Sequence, residues 1–242
     1  MNINDVTKFV INLDRRVDRL NSIQEEMGYI GWDFERFSAV DTNSHRGCSL
    51  SHIEIIKIAK SHNLKEVLVI EDDCTFMPYS KSLIQTIVEE TNNLDFGIFN
   101  LAPTLNRPVN LSQDYTSLLD ITNLPPAESH HRGIFATNMI MYDESVYDEV
   151  LALEESSKLN YYAIDDFIYQ FILPKHASFC PVLPIGPQIS DWSDVSHGQY
   201  NNFYVQTYNW NLYSPVKIPN NFSNLSEIQK IKKENIHLPF NL

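Results

Sequence analysis

Residues 65–76 read KEVLVIEDDCTF, and the reading of this stretch decides the fold. A short apolar run, Val67, Leu68, Val69 and Ile70, stops abruptly at three consecutive carboxylates, Glu71, Asp72 and Asp73. Valine and isoleucine favour strands, and an uninterrupted apolar run marks a strand buried on both faces, as in a parallel sheet. Acids at the carboxyl end of such a strand stand at the rim of the sheet. Open α/β sheets bind ligands there, and clustered hard oxygens suit Mg²⁺ or Mn²⁺ carrying a phosphate. A bare EDD also reads as a solvated acidic turn, and taken alone that is the commoner reading.

Upstream, Thr7 to Leu13 (TKFVINL) is a first strand candidate. The segment after it places Val17, Leu20, Ile23 and Met27 at helical spacing and ends near Gly28 or Gly31. Arg15, Arg16 and Arg19 crowd its first turn, where cations oppose the helix dipole. Either a phosphate-bearing ligand at the strand-to-helix junction or pairing with Asp14, Asp18 and Glu25 accounts for them. A second strand, Phe34 to Val40, ends in Asp41, a position where an acid in a nucleotide-binding unit meets base or ribose. GCSLSH (47–52) opens a helix running to about His62, with Ser49 or Ser51 as its expected cap and His52 as a structural hydrogen-bonder. Residues 7–76 thus read strand, helix, strand, helix, strand, the order of a parallel, nucleotide-binding α/β unit.

Composition agrees with an ordered α/β protein. The chain has 242 residues, 43% of them apolar and 12% aromatic, enough for a substantial core. A net charge of −13 opposes nonspecific binding to nucleic acid or anionic membranes. Three cysteines without paired spacing fit a reducing compartment. No apolar run approaches the length of a transmembrane helix, so the expectation is a soluble cytoplasmic protein, at most peripheral to a membrane.

INLDRRVDRL, the strand ending AVD, GCSLSH and VLVIEDD, in that order over some 70 residues, resemble the signature of glycosyltransferase family 25. That family includes lipopolysaccharide and collagen galactosyltransferases. The resemblance implies a GT-A-like α/β fold with a mainly parallel central sheet, a nucleotide-sugar donor, with UDP-galactose or UDP-glucose as first guesses, and a divalent cation, Mn²⁺ or Mg²⁺. Carried onto this sequence, it sets Glu71 and Asp73 as metal ligands, with Asp72 on the opposite side of the chain, toward the donor's sugar or ribose. Leu13, Arg16, Arg19, Asp41, Ser51 and His52 fall with the donor-binding residues.

Past the acids, Tyr79 to Glu90 reads as a helix and Asp95 to Leu101 as a strand. From Ala102 to His131 periodicity is lost, as in a long loop that walls a substrate site. His130, His131 and Arg132 make a basic spot, either a diphosphate contact or a solvated loop. Arg132 to Tyr142 returns to strand character, and a helix follows to Leu153. In NYYAIDDFIYQFIL (160–173), Asp165 and Asp166 open a helical run, where acids complement the dipole. The resemblance makes Asp165 the general base that deprotonates an acceptor hydroxyl, with Asp166 as the fallback. Phe179 to Ile185 is a last short strand. In GPQISDWSDVSHG (186–198), the resemblance suggests His197 as a further metal ligand, near Asp191 and Asp194.

The expected organisation is a catalytic domain, 1–197, with a nucleotide-sugar half (1–101) and an acceptor half (102–197), and an extension, 198–242, packed on it. The acceptor is a glycan or glycoprotein hydroxyl. A binding module that has lost transfer, and a metal-dependent phosphohydrolase or nucleotidyltransferase, are the alternatives that the same acidic rim admits.

Overall fold

The computed structural model describes residues 2–42, 44–91, 94–122, 124, 134–155, 162–189, 191–193, 198–222, 224–234 and 236–240. The chain opens with β1 (Thr7–Asn12), α1 (Val17–Ile30), β2 (Glu35–Ser38), α2 (His45–Ser61) and β3 (Glu66–Glu71). Both neighbours of β1 are parallel to it, Ile11 pairing with Phe37 of β2 and with Glu71 of β3. Three carboxyl ends therefore emerge on one edge of the sheet. Val67 to Ile70 are all 0% exposed, so the apolar run is buried on both faces. α1 buries Ile23, Met27 and Ile30 and stops where Gly31 takes a φ of +84° and its N–H bonds Met27 O, the left-handed termination that glycine adopts without strain.

There follow α3 (Ser80–Glu90), β4 (Ile98–Asn100), β5 (Thr104–Leu105), β6 (Asn110–Leu111), β7 (Leu118–Asp120), β8 (Ile134–Phe135) and β9 (Met139–Asp143). Next come α4 (Tyr147–Glu155), α5 (Ile164–Phe167), which runs into a π-helical turn at Ile168–Ile172, β10 (Ser178–Pro181), β11 (Asp191–Ser193) and β12 (Gly198–Tyr200). The chain continues into α6 (Asn202–Tyr213) and α7 (Leu225–Lys233).

The main sheet has the order β2-β1-β3-β9-β4-β10-β7-β6. The α/β class with helices flanking a central sheet is as the sequence reads, while strand direction is mixed. β2, β1 and β3 are parallel, as are β4 and β10, but β9 runs antiparallel between β3 and β4. An apolar run reports burial on both faces and carries no information on direction, which is why β9 reads like a parallel strand. Within 102–131, β5 pairs with β8, and β6 and β7 extend the sheet edge beyond β10. The expected long loop therefore contains strands of two or three residues, too short to show a period.

One further expectation changes. α2 begins at His45, so Ser49 and Ser51 lie inside it rather than capping it: Ser51 Oγ bonds Gly47 O and the Val40 amide, and Ser49 Oγ accepts from the Ile164 amide. Several described residues after 198 make contacts with earlier parts of the chain. Trp210 is fully buried with its Nε1 donating to Val182 O at 3.1 Å, the Leu238 amide bonds Pro78 O, and Lys232 pairs with Glu26.

Candidate active site

A cavity of about 420 Å³ opens at the carboxyl ends of β1 and β3. Its floor is the end of the parallel unit, with Leu13, Asp41, Glu71, Asp72 and Asp73. One wall comes from the start of α2, with Gly47, Cys48 and Ser51, and another from Phe135 to Thr137 and Ala163 to Asp165. Gln188 and α6 residues Val205 and Gln206 close the far side. Gly47 is needed here, because a Cβ at this position would collide with the Val40 carbonyl and lie 2.9 Å from Thr42 Oγ1.

The three acids are held differently. β3 ends at Glu71, and the chain turns after it, so Asp72 and Asp73 do not simply alternate across an extended strand. Arg19 Nη1 reaches both, at 3.2 Å from Asp72 and 3.5 Å from Asp73. Asp72 also accepts from Asn12 Nδ2 at 2.6 Å. Burial raises the Asp72 carboxyl above its usual range even though Arg19 and Asn12 oppose the shift. Burial first, then the charge of Glu71, holds Asp73 up to about 7. Arg19 is itself shifted up: burial disfavours its charge, but Asp73 and Asp72 outweigh that. One guanidinium therefore faces a group of three acids.

Gln188 reaches this cluster because residues 185–189 run antiparallel beside 73–77. Met77 N bonds Ile185 O, Thr75 N bonds Pro187 O, and Ile189 N bonds Asp73 O at 2.7 Å. That pairing brings Gln188 Nε2 to 3.4 Å from Asp73 Oδ1. Gln206, 2% exposed, locks the same strand from α6 by accepting the Gln188 amide at 2.7 Å.

Across the cavity, Asp165 stands in the first turn of α5 and accepts from the Asp166 amide at 2.9 Å and the Ala136 amide at 3.3 Å. Ala136 has a φ of +72°, a conformation strained for any residue with a Cβ. Its carbonyl is fixed by Asn100 Nδ2 at 2.8 Å. Strain of this kind persists where surrounding bonds over-determine the backbone.

Of the residues singled out by sequence, Leu13, Arg19, Asp41, Ser51, Glu71, Asp72, Asp73 and Asp165 line this one cavity. Arg16 does not; its guanidinium pairs with Asp18 beside it, while Arg15 enters the cavity and pairs with Asp41. His52 is fully buried behind the wall, with Nδ1 2.9 Å from Tyr142 Oη. Asp166 is buried next to Asp165 and is not among the lining residues. His130, His131, Arg132, Asp194 and His197 lie outside the described residues. Sequence reasoning passed over Cys48, Gln188 and Gln206; the first two sit inside segments already singled out, GCSLSH and GPQISD, and the third carried no signal.

Residues 42–121 match the model of glycosyltransferase family 25 (LPS biosynthesis protein). A glycosyltransferase 25 family member from Aedes aegypti is 29% identical over 115 residues, 36% of this chain and 19% of that protein. Its counterpart in Drosophila melanogaster is 31% identical over 114 residues, 35% of this chain and again 19% of the relative. The match thus spans about a fifth of the length of these curated relatives. Among solved structures, a glycosyltransferase involved in glycosylation of the major capsid of PBCV-1 superposes with a TM-score of 0.46 at 11% identity, over 72% of this chain and 80% of that one. The inositol-1-phosphate CTP transferase of T. maritima gives 0.39 at 10% identity, over 74% and 67%. Likenesses this loose assign no fold, which rests on the sheet itself. The resemblance to glycosyltransferase family 25 carried by the sequence motifs is borne out over residues 42–121.

Proposed function

We propose that this chain is a glycosyltransferase that moves a sugar from a nucleotide diphosphate sugar to an acceptor hydroxyl, with a GT-A-like site. The observation that carries the reading is the meeting of Glu71, Asp73 and Asp165 in one cavity at the rim of a parallel strand unit. Ligands of open α/β sheets lie at that rim. The chemistry of the donor set fits a hard divalent cation, since Glu71, Asp72 and Asp73 gather carboxylate oxygens at one end of the cavity, with Arg19 as the cation set against Asp72 and Asp73. When bound, Mg²⁺ or Mn²⁺ supplies charge neutralisation to a diphosphate leaving group.

Within this reading each side chain has a task. Asp41 and the loop ahead of Gly47 receive the nucleoside, with Arg15 set against Asp41. Arg19 keeps Asp72 and Asp73 in place and adds positive charge on the phosphate side. Asp165 takes the proton of the acceptor hydroxyl as it attacks the anomeric carbon, its two backbone amide bonds fixing the carboxylate. Gln206 and Val205 belong to the wall as well, so the segment after residue 197 forms part of the site. A UDP-hexose, galactose or glucose, is the donor we favour, with a glycan or glycoprotein as acceptor.

A panel of nucleotide sugars, incubated with and without Mn²⁺ and without acceptor, tests this. The expected outcome is slow, cation-dependent release of nucleoside diphosphate from one donor. Consumption of a sugar phosphate with NTP would point instead to a nucleotidyltransferase.

A further inference from the structure

At the cavity wall, and reaching behind it to His52, lies a cluster of different chemistry. Cys48 and His52, one helical turn apart on α2, share a face and meet Glu71 at the end of β3. Cys48 Sγ is 3.6 Å from Glu71 Oε1, His52 Nε2 is 3.9 Å from the same oxygen, and the three ligand atoms all lie within 4.8 Å of one another. Tetrahedral zinc, with bonds of about 2.3 Å to sulfur and about 2.0–2.2 Å to nitrogen and oxygen, sets its ligand atoms about 3.4–3.6 Å apart. The cluster is within small side-chain adjustments of that geometry.

His52 supplies an independent pointer. Its side chain is 0% exposed, and its Nε2 has no hydrogen-bond partner among the described residues. A fully buried ring nitrogen without a partner carries a desolvation cost, and its neighbours here are a thiol and a carboxylate. Nδ1 is meanwhile held by Tyr142 Oη at 2.9 Å, itself fully buried. A ligating histidine is oriented in this way, with its second nitrogen engaged by a fixed partner.

We propose that Cys48, His52 and Glu71 form a site for a thiophilic divalent cation of the zinc type, with its fourth position open to the cavity that Cys48 and Glu71 line. It differs from the Glu71 and Asp73 site in its donor set, nitrogen and sulfur beside one oxygen. Because Glu71 belongs to both, a cation held by Cys48 and His52 competes for the Glu71 oxygens with one at Asp73. Where the transferase reading holds, zinc therefore inhibits Mn²⁺-dependent transfer.

Cobalt titration of the purified, metal-free full chain is the test, because a thiolate ligand gives a near-ultraviolet charge-transfer band and tetrahedral coordination gives intense visible bands. One Co²⁺ per chain with both features, displaced by one Zn²⁺, is expected, with binding at least about tenfold weaker in Cys48→Ser and in Tyr142→Phe. Circular dichroism melts confirm that the variants fold. On the unaltered chain, Zn²⁺ should slow labelling of Cys48 by a thiol reagent, followed by peptide mass spectrometry. Absence of the charge-transfer band, its retention in a folded Cys48→Ser chain, or labelling indifferent to Zn²⁺ would overturn the site. No sugar donor enters these measurements, so their failure leaves the transferase reading standing, and failure of the donor screen leaves this one.

Discussion

Arg19 Nη1 lies 3.2 Å from Asp72 Oδ1, and both side chains are about nine-tenths buried. The same nitrogen is 3.5 Å from Asp73. Removing it leaves two buried carboxylates without their shared counter-charge. In metal-free protein, Arg19→Met is therefore expected to lower unfolding free energy by about 3–5 kcal/mol. Urea denaturation in a chelating buffer measures it. A saturating divalent cation should restore part of the loss by binding only the folded state.

Ala136 carries the opposite kind of prediction. Its φ of +72° is strained for alanine and ordinary for glycine. Ala136→Gly should leave stability unchanged or raise it by up to about 1 kcal/mol. A loss greater than that would mean that the Ala136 methyl packs more than its backbone is strained. Because glycine keeps the amide that bonds Asp165, the same variant should keep turnover and donor affinity close to those of the parent chain.

The tail is the subject of a third. Trp210 is fully buried and donates to Val182 O. α6, on which it sits, also brings Gln206 to the cavity. Trp210→Ala should cost about 3–5 kcal/mol, and thermal melting should show one transition for the whole chain if 198–240 folds with the body.

Asp165→Asn separates chemistry from binding. With the acceptor saturating, kcat should fall by about 10²–10⁴-fold while donor affinity stays within error, because the amide keeps the shape and removes the base. Single-turnover transfer and donor calorimetry give the two numbers. Equal loss of both would reassign Asp165 to donor binding.

Much of the frame was legible because a few local signals were strong. VLVIEDD fixed β3 and its acids, and the arginines around the start of α1 brought Arg15 and Arg19 to the cavity. Arg16 resembled them by position only; its guanidinium pairs with Asp18 and is not among the residues that line the cavity. β9 was legible as a strand, though its direction was not, since an apolar run is the same read either way. The polar side chains that complete the acid site were hidden for a different reason. Gln188 and Gln206 carry no charge and no periodicity; Gln188 reaches Asp73 only because 185–189 zips alongside 73–77, and Gln206 holds the Gln188 amide from α6. Contacts made by chain segments more than 100 residues apart leave no mark in either segment alone.

The most direct measurement is calorimetric titration of the full chain with the nucleotide sugar that the donor screen identifies, with Mn²⁺ and with chelator, in the parent chain and in Asp73→Asn. Tight binding that requires Mn²⁺ in the parent chain, and is weakened about a hundredfold or more in the folded variant, is the predicted result. Donor binding indifferent to both the cation and Asp73, or no binding of any nucleotide sugar, would contradict a cation-assisted donor site at Glu71 and Asp73.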